Sequence, residues 1–202
     1  MGRNNSQTRR HILDSTEKAL ASCNSRDIHI QSICSLANVG VQTIYYHFAS
    51  REQLIAEAQS SAFTKMIAPL KKLLDIAETA LAETDRSMFL SAIEDSFDEM
   101  WLCCKSLEGS NIFQLLTDIW SFPGAHEEIL EDLNSSMNRW MLAVQGSVVL
   151  GWVDKKTDAN AFVTTWWSTW WGQAAFKQST VLAPTVESIR KLLLGAIGVE
   201  VQ

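Results

Sequence analysis

The sequence predicts an all-α fold, and three observations predict it. Apolar residues recur at three- and four-residue spacing almost throughout the 202 residues. Strand-type alternation is scarce. Three prolines and nine glycines are too few for an all-β chain, which needs a turn about every ten residues. A hydrophobic fraction of 47% against 20% charged is globular composition rather than disorder.

Taken in order, the first helix is expected from about Thr8 to Ser22, with Ile12, Leu13, Ala19 and Leu20 inward. The polar run Cys23-Asn24-Ser25-Arg26-Asp27 breaks it. Ile30, Ile33, Cys34 and Ala37 share one face of a short second helix, which stops at Asn38, a residue that tolerates the left-handed conformation. After Val39-Gly40 a third helix starts near Gly40 or Val41, anchored by Ile44 and Phe48 one turn apart. Ser50-Arg51-Glu52-Gln53 reads as a capping box, with the Gln53 side chain returning to Ser50. The fourth helix carries Leu54, Ile55, Ala58, Ala62 and Phe63, and Pro69 is expected to kink or end it. Amphipathic segments follow near 70–83, 86–106, 111–121, 126–151, 159–179 and 185–198. Asp85, Ser110, Asp158 and Pro184 mark starts; Gly109, Pro123-Gly124 and Gly151 mark stops.

The net charge of −6 argues against nucleic acid until the chain is divided. Residues 1–51 hold six basic side chains (Arg3, Arg9, Arg10, Lys18, Arg26, Arg51) against three acids (Asp14, Glu17, Asp27), so they carry +3 and the rest −9. Only a segment that faces phosphate must be basic. No apolar run reaches the roughly 18 residues that span a bilayer, and the polar start lacks a secretion signal's apolar core. Gly2 resembles a myristoylation start, though a polar arm suits a nucleic-acid contact at least as well. Cys23, Cys34, Cys103 and Cys104 lack metal-ligand spacing, so reduced thiols in a cytoplasmic chain are expected.

Residues 28–54 carry the chemistry. Two short helices meet at Ala37-Asn38-Val39-Gly40, and Val41, Gln42, Thr43, Tyr45, Tyr46 and His47 interrupt the third helix's apolar face. A short helix rich in hydrogen-bonding and aromatic groups, fixed by two apolar anchors, is what a major-groove reader requires. The run Ile33-Cys34, Ala37, Val39, Thr43-Ile44-Tyr45-Tyr46-His47-Phe48, Ser50-Arg51-Glu52 and Leu54 resembles the helix-turn-helix and helix 4 start of TetR-family bacterial regulators. The resemblance covers about residues 8–58. It departs at three places: Asn38 stands for a common glycine, Gly40 for a Ser/Thr cap, and Ile28 for a capping threonine.

That resemblance implies two domains, a DNA-binding head over 1–50 and a ligand-binding and dimerisation domain over 51–202. It places Val41 and Gln42 on base edges with His47 close by, Thr43 and Tyr46 on phosphate, Gln31 on the backbone, Arg51 near phosphate, and Arg9 and Arg10 as arm contacts. Tyr45 stays open between groove contact and half-buried core aromatic. The partners implied are double-stranded operator DNA, a small-molecule effector and a second copy of the chain, with no membrane. Repression, with release on effector binding, rests on the resemblance alone.

All eight tryptophans lie at or beyond position 101. Trp166/Trp170 and Trp167/Trp171 form two neighbouring stripes of one helix, which must be covered on two sides. One stripe is expected inside its own domain and the other against a partner. The resemblance implies such an interface from the last two helices, with Trp167, Trp171, Gly172, Ala175, Ile189 and Leu193 in it. Trp101, Phe113, Thr117, Trp120, Trp140, Trp166 and Trp170 are expected around an apolar effector cavity, with plain core packing as the alternative for each. His126-Glu127-Glu128 and Glu94-Asp95-x-x-Asp98-Glu99 are the clusters that hint at metal or acid–base chemistry. No second histidine completes a site, so a solvated face is expected, with no cofactor, metal or catalytic residue. A helical adaptor or small-molecule-binding chain without DNA readout, or a metal-dependent enzyme, is the alternative.

Overall fold

A computed structural model describes residues 2–106, 127–176 and 185–199. Its helices are α1 (Gly2–Ser22), α2 (Ile30–Ala37), α3 (Val41–His47), α4 (Arg51–Glu83), α5 (Arg86–Ser106), α6 (Glu127–Val149), α7 (Ala159–Phe176) and α8 (Val186–Ala196), with a single 3₁₀ turn at Ser25–Asp27. No strand occurs among the described residues. None of these helices is long and apolar enough to cross a membrane. The segment expected at 111–121 and the signals at Gly109, Ser110 and Pro123-Gly124 lie outside the described residues.

The chain divides into two compact units. The first holds residues up to Met66, with 127–130; the second holds Ile67–Ser106 and the described residues from Glu131 onward. The first unit therefore runs past the boundary expected at residue 50. Leu54 and Ile55 of α4 belong to the same buried cluster as Ile12, Ile28, Ile30, Ile33, Ile44 and Phe48, and a helix cannot be parted from the core it fills.

Pro69 does not end α4, which continues to Glu83. An interior proline forfeits one helical hydrogen bond and costs about 3 kcal/mol. Ile67, Leu70 and Leu74 around it are at most 3% exposed. At roughly 1.5–3 kcal/mol for each buried side chain, continuing the helix outweighs the proline. The segment expected at 70–83 is thus the second half of α4. It is tied to α6 by Arg139, which donates to Glu78 at 2.8 and 2.6 Å and to Asp75 at 2.6 Å, and by Lys71 on Asp132 at 2.6 Å. Glu78 first, then Asp75, raise the Arg139 pKa.

Caps follow the local chemistry. Ser50 accepts from the Gln53 amide at 3.1 Å as expected, but the Gln53 side chain accepts from Ala49, one residue short of a strict box. Asp85 accepts from the Met88 amide, Asp158 from Ala161 and Thr185 from Ser188, each within 3.1 Å. Four helices end in one motif, a left-handed residue followed by an amide that reaches back five residues. Val39 bonds to Cys34, Asp85 to Ala80, Trp152 to Ser147 and Val199 to Leu194. The left-handed residues are Asn38, Thr84, Gly151 and Gly198.

Candidate nucleic-acid interface and apolar cavity

In the first unit, Ile30, Ile33 and Ala37 bury one face of α2, and Ile44 is the one buried residue of α3. Asn38 (φ 50°, ψ 48°) makes the reversal between them without a glycine, since its short side chain tolerates the left-handed region. Gly40 caps α3 with extended backbone and no side-chain bond; Thr43 and Ile44 donate to its carbonyl at 3.0 and 3.3 Å. A missing hydroxyl at residue 40 therefore leaves the start of α3 at Val41. Ile28, at the other position of departure, is buried in the head's core.

With Ile44 pinned inward, α3 turns the remainder outward. Val41 is 42% exposed, Tyr45 50% and Tyr46 74%; Gln42 is exposed, while Thr43 and His47 are half-buried. Tyr45 is thus no core aromatic. The Tyr46 and His47 rings meet edge-on at 5.1 Å. Gln31 is exposed on α2 and Arg10 on α1.

Two of the expected phosphate contacts are engaged elsewhere. Arg51 donates through Nε to the Ile28 carbonyl at 2.7 Å and through Nη2 to Ser25 and Arg26, so it staples the α1–α2 connection to α4. Arg9 pairs with Glu57 and lies 4.7 Å over the Phe48 ring. Both charges meet a backbone or carboxylate partner in the chain, which satisfies a guanidinium without a phosphate. No spacing rule could reveal this, because the partners of Arg51 lie 23 to 26 residues away. The first helix is also longer than expected, since α1 begins at Gly2 rather than Thr8.

The second unit holds a cavity of about 30 Å³ lined by Phe97, Met100, Trp101, Trp166, Thr169, Trp170, Val186 and Ile189. Of the residues expected around a cavity, Trp101, Trp166 and Trp170 line this one. Trp140 does not line it: the ring is 1% exposed and packs edge-on against Trp166 at 5.0 Å, as a core residue. Phe113, Thr117 and Trp120 lie outside the described residues. Met100, Thr169 and Val186 were not singled out from sequence, although Met100 stands three residues after Phe97 and Val186 three before Ile189, the spacing of one helical face. Trp170 donates its indole N–H to the Met100 carbonyl at 2.9 Å, whereas the buried Trp166 and Trp167 indole N–H groups have no hydrogen-bond partner among the described residues.

The expected interface needs correction. Trp166, Trp167 and Trp170 are all buried within the single chain, at most 4% exposed, so both stripes of α7 turn inward as far as they are described. Trp167 and Leu193 (2% exposed) keep almost no surface for a partner, and Ile189 lines the cavity. Trp171 and Ala175 have side chains outside the described residues. Gly172 is half-buried, with open space where a Cβ would stand. The outward face of α7 is instead small and polar: Ala161, Thr164, Thr165 and Ser168. On α8, Ser188, Leu192 (70% exposed) and Gly195 face out.

Neither acidic cluster forms a metal site among the described residues. Asp98 pairs with Arg190, Glu127 and Glu128 are exposed, and His126 is outside the described residues.

No family model and no curated relative matches the sequence. The fold is shared widely. A Mesorhizobium loti protein described as a TetR-family transcriptional regulator aligns at TM-score 0.65 and 13% identity, over 96% of this chain and 95% of that one. A Clostridium perfringens protein described as a fatty acid metabolism regulator gives TM-score 0.65 at 12% identity, over 95% and 99%. The fatty acid degradation regulator FadR from Bacillus halodurans gives 0.61 at 16%, over 92% and 94%. The chain therefore has the all-α fold of TetR-family regulators.

Proposed function

We propose that the chain is a ligand-responsive, DNA-binding transcriptional regulator: a homodimeric repressor that leaves a palindromic operator when a small molecule binds its second unit. The observation that carries this is α3. A seven-residue helix with one buried side chain adds little to its own core, yet it displays a valine, a glutamine and two tyrosines to solvent. Such a surface is explained by a partner that offers base edges and phosphates. Two copies reading successive major grooves need half-sites about 10 base pairs apart, or a multiple of that.

For dimerisation, the outward faces of α7 and α8 replace the tryptophans. Ala161, Thr165, Ser168, Gly172 and Gly195 are small enough for close helix approach, and Leu192 supplies exposed apolar area. For sensing, the aromatic cavity supports a largely apolar effector. The Trp166 indole in its wall, unpartnered among the described residues, favours one that also carries an acceptor such as a carbonyl or carboxylate. Two fold neighbours described as fatty acid regulators point the same way. Effector pockets measure about 300–1,000 Å³, so a cavity of about 30 Å³ must open to be filled. The effector then favours an open, DNA-incompetent state only by binding it more tightly, and DNA must weaken effector binding reciprocally.

Fluorescence anisotropy on a labelled duplex from the region beside the chain's own gene tests the reading. Binding at low salt that falls as salt rises is expected. No binding would favour the helical adaptor. Small molecules that co-purify, identified by mass spectrometry, should weaken that binding; if they leave it unchanged at saturation, the sensing half fails while DNA binding stands.

A further inference from the structure

The reading face of α3 has a chemical character that narrows what it can read. We propose that Val41 and Gln42 read a thymine and an adjacent adenine, so that the half-site met by α3 is built of A·T pairs at these positions. This rests on the regulator reading above and specifies its DNA.

In the major groove guanine offers two acceptors, O6 and N7, which a doubly donating Arg or Lys matches. Adenine offers an acceptor and a donor, N7 and N6–H, which one carboxamide matches with its own donor and acceptor. Thymine adds a methyl group that only an apolar side chain rewards. The helix Val-Gln-Thr-Ile-Tyr-Tyr-His has no lysine, arginine or acid. Its first turn, the part of a recognition helix that meets base edges, presents the Val41 isopropyl group at 42% exposure and the Gln42 carboxamide. The Gln42 side chain is exposed, so both ends of its amide are open to a base.

Nearby cations do not alter this. Arg51 is held by the carbonyls of Ser25, Arg26 and Ile28, and Arg9 by Glu57 and the Phe48 ring. His47 sits half-buried in the last turn, with its ring against Tyr46, away from the end that carries Val41. Tyr45 and Tyr46 stand one turn beyond Val41 and Gln42 and extend the same two columns.

The test begins with selection of bound duplexes from a randomised library by the full-length chain. A·T pairs at two adjacent positions of each half-site are expected. Replacing the selected thymine by uracil removes only its methyl group and should weaken binding about tenfold, an effect that shrinks in Val41→Ala. Gln42→Arg should move the neighbouring preference from adenine to guanine. Both side chains are exposed, and an unchanged circular dichroism melt would verify that the variants fold. Selection of G·C at both positions, or equal thymine–uracil discrimination in Val41→Ala, overturns the inference. Tight binding with no sequence preference overturns it too, yet leaves DNA binding intact. Failure to bind any duplex sinks the regulator reading and this one together.

Discussion

The two units use aromatic side chains in opposite ways. The head leaves Tyr45 and Tyr46 half or more exposed while aliphatic Ile12, Ile33 and Ile44, with Phe48, fill its core. The second unit buries Trp140, Trp166, Trp167 and Trp170 to 4% exposure or less, edge against face. A core needs volume, and an indole supplies more than any other side chain. A surface that must meet a polar partner needs an apolar body with a polar tip, which is tyrosine. Aromatic count alone therefore says nothing of role; burial decides it.

The largest expected effect follows directly. Trp140→Ala should cost about 3–5 kcal/mol of unfolding free energy in urea titrations, through a cavity against Trp166. Tyr46→Ala should change stability by less than about 0.5 kcal/mol, while weakening binding to all duplexes alike. Equal stability losses would dissolve the contrast between the units.

Arg51→Met, which keeps the stem and removes the donors, should cost about 2 kcal/mol, because three backbone carbonyls lose a charged partner. Its salt dependence of DNA binding should stay that of the parent. A fall in slope of about one would restore Arg51 as a phosphate contact.

Smaller effects separate two reversals of the same shape. Thr84 is β-branched at φ 56°, where such residues are strained, so Thr84→Gly should raise stability by roughly 0.5–1 kcal/mol. Asn38→Gly should gain only a few tenths of a kcal/mol, since asparagine tolerates that conformation. Thermal melts that rank them the other way would show that the head's turn is the strained one.

Asp85, next to Thr84, gives the smallest signal. The Met88 amide first, then the Ser87 hydroxyl, hold its carboxylate below the ordinary range. Its cap therefore contributes fully above the ordinary carboxylate pKa and is lost as pH falls through the lowered folded value. Melts of Asp85→Ala and the parent should differ at neutral pH and converge in acid.

Where a local rule determined the outcome, the sequence was readable. Asp85, Asp158 and Asn38 each act through a neighbour a few residues away, and their elements lie where spacing puts them. The helix α3 belongs with these, since Ile44 and Phe48 are buried and the residues between and before them are not. Failures arose where distant residues decide. Pro69 is overruled by burial of Ile67, Leu70 and Leu74. Arg9 and Arg51 look like free cations until a carboxylate 48 residues away, or carbonyls more than 20 away, claim them. The tryptophan stripes showed that α7 is covered on two sides, but not that its own chain does the covering.

The small cavity between α5, α7 and α8 also has a kinetic meaning. An effector that needs ten times that volume would enter only as the indole wall moves. In stopped-flow mixing, the observed rate would level off at high effector concentration, at the opening rate itself. The cell's response would then be clocked by side-chain rearrangement rather than by diffusion.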